Sequence, residues 1–245
     1  MNRHYTSGSG RRLWPDALLF DLDGTLIDSV PDIATSINKL LVAESLDPLS
    51  RDEVRGMIGN GVAKLVERAF RAREISLAGD HHDVMTARML EIYQDHLTDQ
   101  TQLMKGARDV LHSFHQAGVK LAVVTNKPEA PTRQILDHFG LSDLVASVVG
   151  GDTGPARKPE PDMLFHALKA MDRDAARAVM IGDSPADIGA AKAAGIASVA
   201  VEGGYTPVPA RELGADVVIA SLAELPVALD ELKELAGDAD QGPCI

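Results

Sequence analysis

The chain has 245 residues, of which 45% are hydrophobic and 24% are charged, and these values are typical of folded globular proteins. The length suits one α/β domain with an inserted module and is short for several independent domains. The formal net charge of -12 opposes contact with nucleic acid and with anionic membrane surfaces, so we expect neither as a partner. Cys244 is the only cysteine, which excludes an internal disulfide and a cysteine-based metal cluster.

The two ends of the chain are polar, and we expect a flexible lead-in at 1–13 and a flexible tail at 233–245. The lead-in contains no apolar stretch of the kind found in secretory signals. No run of about 18 apolar residues occurs in the sequence, so no membrane span is predicted. The expected location is the cytoplasm, and we expect a monomer or a homodimer.

Six short apolar runs predict buried strands, because nearly continuous apolarity is typical of strands that are covered on both faces. The runs lie at 17–21, 119–125, 144–151, 178–183, 197–204 and 215–221. Helical patterns separate the later runs, at 106–117, 129–139, 161–171 and 185–194. This alternation predicts an α/β fold with a doubly wound parallel sheet, a Rossmann-like core with helices on both faces.

The segment between the first two predicted strands is far longer than a crossover helix requires. It contains no clear strand but does contain helical patterns, which lie at 32–45, 51–58, 61–73 and 81–97. We therefore predict an inserted α-helical cap domain at 32–101. The core would then be formed by 14–31 and 102–232.

Polar side chains follow four of the predicted strands. They are Asp21, Asp23, Thr125, Asn126, Lys158, Asp183 and Asp187. Each has an ordinary structural explanation by itself, such as a helix N-cap or a turn residue. Ligands of open α/β sheets bind at the carboxyl ends of the strands, so the meeting of these residues at one edge indicates a functional site.

Three of the strand-end aspartates offer oxygen ligands to a metal ion. Asp21, Asp23 and Asp183 suit Mg²⁺, which binds through few carboxylates together with a substrate phosphate. Histidine and cysteine ligands for zinc are absent from these strand ends. The sequence therefore predicts Mg²⁺ as the cofactor.

Four motifs in this order resemble those of the haloacid dehalogenase-like hydrolases. They are DLDGT at 21–25, the threonine of VVTNK, the lysine of ARKPEP and GDSPAD at 182–187. The resemblance extends from Leu18 to about Leu225, and the helical insertion is similar to the cap of that superfamily. Within it, the stretches at 29–41, 54–70 and 127–141 look like those of bacterial phosphoglycolate phosphatases. The loop GGDTGPARKPEP departs from that subgroup in the residues before the lysine, which leaves the choice of substrate open.

The resemblance implies a nucleophile and an acid/base catalyst. Asp21 would attack phosphorus to form an aspartyl-phosphate, and Asp23 would protonate the leaving alkoxide and then activate water. The carboxylates of Asp21 and Asp183 and the main-chain carbonyl of Asp23 would hold Mg²⁺. Lys158 would neutralise charge on the nucleophile and the phosphoryl oxygens. The implied reaction is hydrolysis of a small anionic phosphomonoester, and 2-phosphoglycolate is the first candidate.

The remaining motif residues would bind the phosphate or support the catalytic groups. Thr125 and Asn126 would orient the phosphoryl oxygens, while Gly24 and Thr25 would bring the backbone close to the phosphate. Asp187 would orient Lys158 or a metal-bound water. In the cap, four residues are candidates to bind the carboxylate of the substrate, although a solvated helix face would carry the same residues. They are Arg55, Asn60, Lys64 and Arg68.

Several alternatives remain open at this point. A haloalkanoate dehalogenase or a phosphonate hydrolase needs no acid/base at Asp23, so the sequence argues against both. A sugar phosphomutase, or a phosphatase for a sugar phosphate or pyrophosphate, would use the same core residues. A protein that only binds phosphorylated ligands would have lost at least one of these residues, and none is lost.

Overall fold

The computed structural model describes residues 14–206 and 208–239. The predicted lead-in at 1–13 and the end of the predicted tail, 240–245, lie outside the described residues. The strands of the described chain are β1 (Ala17–Phe20), β2 (Ile27–Asp28), β3 (Gln102–Leu103), β4 (Lys120–Val124), β5 (Ser147–Val149), β6 (Ala178–Gly182), β7 (Ala197–Val201) and β8 (Val217–Ile219).

Helices fill most of the chain between these strands. They are α1 (Val30–Ala43), α2 (Arg51–Arg55), α3 (Val62–Arg71), α4 (Gly79–Gln94), α5 (Ala107–Gln116), α6 (Glu129–His138), α7 (Asp162–Met171), α8 (Pro185–Ala194) and α9 (Leu225–Ala239). The helix α9 runs to Ala239 and so extends into the range of the predicted tail, 233–245. No helix in the described part of the chain is long and apolar enough to cross a membrane.

Six strands form one parallel sheet in the order β5-β4-β1-β6-β7-β8. The chain builds the sheet outward from β1 in one direction and then in the other. At the centre, Leu19 of β1 lies opposite Ala122 of β4 and Met180 of β6. The predicted doubly wound parallel sheet is confirmed, and its order reverses at β1, where ligands bind in such folds.

The two faces of the sheet contribute to separate apolar clusters because side chains alternate along each strand. Leu18 and Phe20 of β1 belong to the cluster that contains apolar residues of α5, α6 and α9. Ala17 and Leu19 belong to the cluster formed with α7 and α8. Helices on both faces leave the carboxyl ends of the strands as the open edge of the sheet.

A two-stranded ribbon, β2 paired with β3, marks where the chain leaves the core and returns to it. Asp28 lies opposite Gln102, and Ile27 lies opposite Leu103, in an antiparallel pair that the sequence does not predict. The buried carboxylate of Asp32 secures the same place, since it accepts hydrogen bonds from the backbone N–H groups of Gln100 and Thr101. The helices α1 to α4 lie between the two crossings, as the helical patterns predict.

Candidate active site

A buried lysine joins two of the strand-end aspartates. The Lys158 ammonium is 2.9 Å from Asp21 Oδ1 and 2.6 Å from Asp187 Oδ1, and it also donates to the Val124 carbonyl at 2.6 Å. Lys158 is only 3% exposed. Burial by itself lowers the pKa of Lys158, but the charges of Asp187 and Asp21 reverse this and raise it above its ordinary value. The lysine is therefore a fixed positive charge beside Asp21.

Asp187 supports Lys158, and hydrogen bonds engage both of its carboxylate oxygens. Oδ1 accepts from Lys158, while Oδ2 accepts from the backbone N–H groups of Asp183 and Ser184 and from the Ser184 hydroxyl. Ser184 and Asp187 form the capping box that begins α8. The start of this helix thus fixes the carboxylate that orients Lys158.

Asp183 is held from two sides. The Thr25 hydroxyl donates to Oδ1 at 3.1 Å, and the Tyr205 backbone N–H donates to Oδ2 at 2.7 Å. Thr25 is 0% exposed, so its side chain supports Asp183 instead of facing the cavity where a substrate would bind. Gly24 is in the left-handed region with a φ of 89°, and a Cβ there would lie 2.6 Å from Asp183 Oδ2.

Excess negative charge is buried where the metal site is predicted. Carboxylate oxygens of Asp21, Asp183 and Asp187 lie within 4.8 Å of one another. Burial and the charge of Asp187 raise the pKa of Asp21 to about 6, even though Lys158 lowers it. Burial and the charges of Asp187 and Asp21 also raise the pKa of Asp183. A hard divalent cation would balance this charge, so the residues present fit Mg²⁺.

The Asp23 carboxylate is not part of this cluster and is held by other groups. The Ser29 hydroxyl donates to Oδ1 at 2.5 Å, and the Lys127 ammonium is 3.2 Å from each carboxylate oxygen. Lys127 also donates to the Tyr93 hydroxyl of α4 at 2.7 Å. The Asp23 side chain thus has hydrogen-bond partners of its own and is not one of the three clustered carboxylates.

Lys127 and Tyr93 are site residues that the sequence does not predict. Burial lowers the pKa of Lys127, but the charge of Asp23 and the contact with Tyr93 raise it above its ordinary value. Burial, opposed by the charge of Lys127, raises the pKa of Tyr93 to about 12. The lysine follows Asn126 directly in the motif, and this adjacency is the one signal that could have found it. The tyrosine comes from a distant helix and has no local signal.

Thr125 and Asn126 lie at the carboxyl end of β4 and line a cavity together with Asp21. The Thr125 hydroxyl accepts a hydrogen bond from the Lys127 backbone N–H. The Asn126 side-chain amide donates to the carbonyls of Lys158 and Gly59, so it joins two core loops to the loop between α2 and α3. Its Oδ1 is buried and has no hydrogen-bond partner among the described residues.

Of the four candidates in the helical insertion, three lie near the strand ends. Asn60 and Arg68 are joined by a hydrogen bond of 2.7 Å and line a cavity with Asp21 and Asp183. The Arg55 guanidinium lies 5.3 Å from the centre of the Tyr205 ring. Lys64 is not brought to the site: its side chain is 45% exposed and pairs with Glu67 at 2.6 Å, one turn along α3.

Two cavities meet at Asp21 and Asp23. The smaller cavity, about 50 Å³, is lined by Asp21, Asp23, Asn126 and Lys127 together with apolar residues of the helical insertion. The larger cavity, about 260 Å³, is lined by polar groups at Asn60, Arg68, Asp183 and Ser184. Both are lined by Asp21, Asp23, Ile58 and Gly59. A small ligand at Asp21 would therefore contact the core and the helical insertion at once.

Comparison with known families assigns the fold and motifs to one class of enzyme. Residues 18–201 match the family model described as haloacid dehalogenase-like hydrolase. The chain belongs to this family of hydrolases, which confirms the resemblance carried by the four motifs. The matched range contains Asp21, Thr125, Lys158 and Asp183.

Individual proteins and solved structures are similar to most of this chain. A phosphoglycolate phosphatase from Rhodospirillum rubrum is 40% identical over 215 residues, which cover 86% of this chain and 89% of that protein. A solved structure from Haemophilus somnus, described as a predicted phosphoglycolate phosphatase, has a TM-score of 0.82 and 31% identity, and covers 87% of this chain and 97% of its own. A variant of CbbY from Rhodobacter sphaeroides, in complex with xylulose-(1,5)bisphosphate, has a TM-score of 0.74 and 27% identity, and covers 86% of this chain and 96% of its own.

Proposed function

We propose that the protein is a Mg²⁺-dependent phosphomonoester hydrolase that acts through an aspartyl-phosphate and hydrolyses 2-phosphoglycolate to glycolate and phosphate. The observation that carries the proposal is the buried Asp21 carboxylate, with Lys158 at 2.9 Å and Asp183 in the same oxygen cluster. This arrangement provides a nucleophile whose negative charge Lys158 and a bound metal ion would balance. The relatives named phosphoglycolate phosphatase support the choice of substrate.

In the first half of the reaction, an oxygen of Asp21 forms a bond to phosphorus while the bond to the ester oxygen breaks. Lys158 holds Asp21 Oδ1, so we assign the attack to Oδ2. Asp23 gives its proton to the departing alkoxide, and the Ser29 hydroxyl and Lys127 keep its carboxyl group in place. Nucleophilic and acid catalysis are thus divided between two side chains one residue apart.

In the second half, the Asp23 carboxylate takes a proton from water while the water oxygen attacks phosphorus. The bond to Asp21 breaks, which releases phosphate and restores the nucleophile. Lys158 and the Thr125 hydroxyl face the negative charge that collects on the phosphoryl oxygens. The side-chain amide of Asn126 does not, because its donors are taken by the carbonyls of Gly59 and Lys158. Mg²⁺, when bound by Asp21, Asp183 and the main-chain carbonyl of Asp23, supplies further charge neutralisation there.

The helices α1 to α4 would act as the cap that encloses the substrate. The hydrogen bond from Asn126 to the Gly59 carbonyl places a loop of this insertion directly over the strand ends. The small volume of the adjoining cavity, about 50 Å³, favours a short acid such as 2-phosphoglycolate over a bulky sugar. The second cavity, about 260 Å³, is the observation that favours the other candidate function, a phosphatase for a larger phosphorylated metabolite.

A substrate panel tests the proposal. We expect phosphate release with Mg²⁺ to be fastest for 2-phosphoglycolate among phosphorylated acids, sugars and nucleotides, and to stop with EDTA. Asp21→Asn should lower kcat by a factor of at least about 1,000, because the amide cannot serve as the nucleophile. Full activity in Asp21→Asn would disprove the mechanism, whereas a low rank of 2-phosphoglycolate would disprove only the substrate. Conversion of a phosphosugar without release of phosphate would identify a phosphomutase.

A further inference from the structure

Lys127 is a buried cation to which the proposed reaction assigns no contact with the substrate. The residue is 6% exposed, and its ammonium contacts the Asp23 carboxylate and the Tyr93 hydroxyl. Its ammonium also lies 4.4 Å from the centre of the Tyr93 ring. A lysine normally keeps its charged end in water because burial removes its hydration. The Asp23 carboxylate is the counter-ion of this buried charge, and both groups line the same cavity.

The position of Lys127 is beside the place where the organic part of the substrate must lie. Lys127 and Tyr93 line the smaller cavity together with Asp21, Asp23 and Thr125. Most of the remaining lining is apolar and comes from the helical insertion, at Ile33, Ile58, Val62, Leu65 and Met89. Among the residues that line this cavity, Lys127 is the one with a positively charged side chain.

The structure of 2-phosphoglycolate determines how far the substrate carboxylate lies from the ester oxygen. Asp23 must come within hydrogen-bond reach of the ester oxygen in order to protonate it. In 2-phosphoglycolate a single methylene joins that oxygen to the carboxylate carbon. Because Lys127 is 3.2 Å from both oxygens of Asp23, a carboxylate one methylene beyond the ester oxygen comes within reach of the same ammonium.

We propose that Lys127 and the Tyr93 hydroxyl form the subsite for the substrate carboxylate, an inference that rests on the proposed phosphatase function. The competing cations are less suited to this task. Both terminal nitrogens of Arg68 are engaged, by the Met57 carbonyl and by Asn60 Oδ1, and Lys64 is exposed and paired with Glu67. The subsite selects phosphorylated acids over uncharged phosphate esters of the same length.

The test compares 2-phosphoglycolate with ethyl phosphate, which lacks the carboxylate but has the same phosphate and a similar length. The measured quantity is the ratio of their kcat/KM values with Mg²⁺ present. Lys127→Met keeps the length of the side chain and removes its charge. It should lower the ratio by a factor of about 10 to 100, mainly by raising KM for the phosphorylated acid. Tyr93→Phe, which removes only the hydroxyl, should lower the ratio by a factor of about 3 to 10.

Two features of the design separate binding of the carboxylate from positioning of Asp23. Any displacement of Asp23 affects both esters alike and cancels in the ratio, so an unchanged ratio in Lys127→Met would overturn the inference. Titration calorimetry in an Asp21→Asn background measures binding without turnover, and the preference for 2-phosphoglycolate over ethyl phosphate should disappear when Lys127→Met is added.

Matched variants complete the comparison. Lys120→Met removes an exposed lysine from the other end of β4 and should leave the ratio unchanged. If the ratio falls in Arg68→Met but not in Lys127→Met, the carboxylate binds in the larger cavity and the inference is wrong. If the wild type hydrolyses neither ester, the proposed function itself is wrong. If it hydrolyses both and Lys127→Met retains the preference, only the subsite assignment is lost.

Discussion

At the scale of single residues, the position of Asp183 depends on the absence of side chains at two neighbours. A Cβ at Gly24 would lie 2.6 Å from Asp183 Oδ2, and a Cβ at Gly204 would overlap the same side chain. Thr25 and the Tyr205 backbone then hold the two oxygens of Asp183. The carboxylate is thus confined by packing as well as by hydrogen bonds.

Gly24→Ala should therefore lower the activity strongly, whereas the matched variant Gly118→Ala should not. The φ of Gly24 is 89° and that of Gly118 is 83°, but a Cβ at Gly118 has no atom within 4 Å. Both variants carry a similar backbone cost, about 1 kcal/mol. We expect kcat/KM to fall by a factor of at least about 100 in Gly24→Ala, through displaced Asp183, and to stay within about twofold in Gly118→Ala. Equal activity in the two variants would show that the contact with Asp183 does not matter for catalysis.

The residues whose position at the strand ends the sequence predicts and those that it misses differ in where their partners lie. Asp21, Thr125, Lys158 and Asp183 are brought together because each follows a strand of one parallel sheet, which the apolar runs reveal. Lys127 is buried by Tyr93, which comes from α4, so its burial is a tertiary effect without a local signal. Lys64 is the reverse case, since Glu67 lies one helical turn away and satisfies its charge locally.

At the scale of elements, Tyr205 secures the start of α1. Its hydroxyl accepts hydrogen bonds from the backbone N–H groups of Ser29 at 2.6 Å and of Val30 at 3.3 Å, and it donates to Asp28 Oδ1 at 2.9 Å. The Ser29 side chain does not cap the helix, because its hydroxyl donates to Asp23. A loop of the core thus supplies, through Tyr205, the hydrogen-bond acceptor for the N-terminus of α1, the first helix of the insertion.

Tyr205→Phe should destabilise the protein because it removes the partner of the buried Ser29 N–H and leaves the Val30 N–H with Asp28 Oδ1 alone. We expect the free energy of unfolding in urea to fall by about 1 to 3 kcal/mol. Thr35→Val is the matched control: it also removes a hydroxyl from this region, but that hydroxyl donates only to the Pro31 carbonyl within α1. The control should change stability by less than about 0.5 kcal/mol. A loss of similar size in both variants would show that Tyr205 has no special role at the helix start.

The elements themselves were largely predictable, and the exceptions have a physical cause. The strands of the central sheet are buried on both faces and give continuous apolar runs, and the helices of the insertion show a helical period. The ribbon β2-β3 has two residues in each strand, which is too short to show any period. Its pairing is set by where the chain enters and leaves the core, not by local preference.

At the scale of the whole molecule, the buried carboxylates make stability depend on pH. The folded-state pKa of Asp21 is raised from 3.8 to about 6. Below about pH 4 the folded and unfolded states both hold the proton, but between about pH 4 and pH 6 the unfolded chain loses it first. Stability therefore falls as the pH rises through this window, and the penalty persists at higher pH. The raised pKa of Asp183 acts in the same direction.

Asp21→Asn should remove that penalty. In EDTA at about pH 8 we expect its Tm to exceed that of the wild type by about 2 to 8 °C, and the difference should shrink toward zero near pH 4. Mg²⁺ at the higher pH should raise the Tm of the wild type more than that of the variant, because the metal binds the ionised carboxylate. Asp143→Asn, at an exposed position, should change the Tm at neither pH. A lower Tm for Asp21→Asn than for the wild type at the higher pH would contradict the expected direction of the effect.

The ribbon β2-β3 has a consequence for how such proteins diversify. Because Asp28 and Gln102 are paired neighbours, the helical insertion departs from and rejoins its host at a single point, as a hairpin loop does. Lengthening, shortening or exchanging the inserted helices leaves the strand register of the sheet untouched. Changes in this one module can therefore alter the cavity lining that it provides while Asp21, Lys158 and Asp183 keep their places at the strand ends.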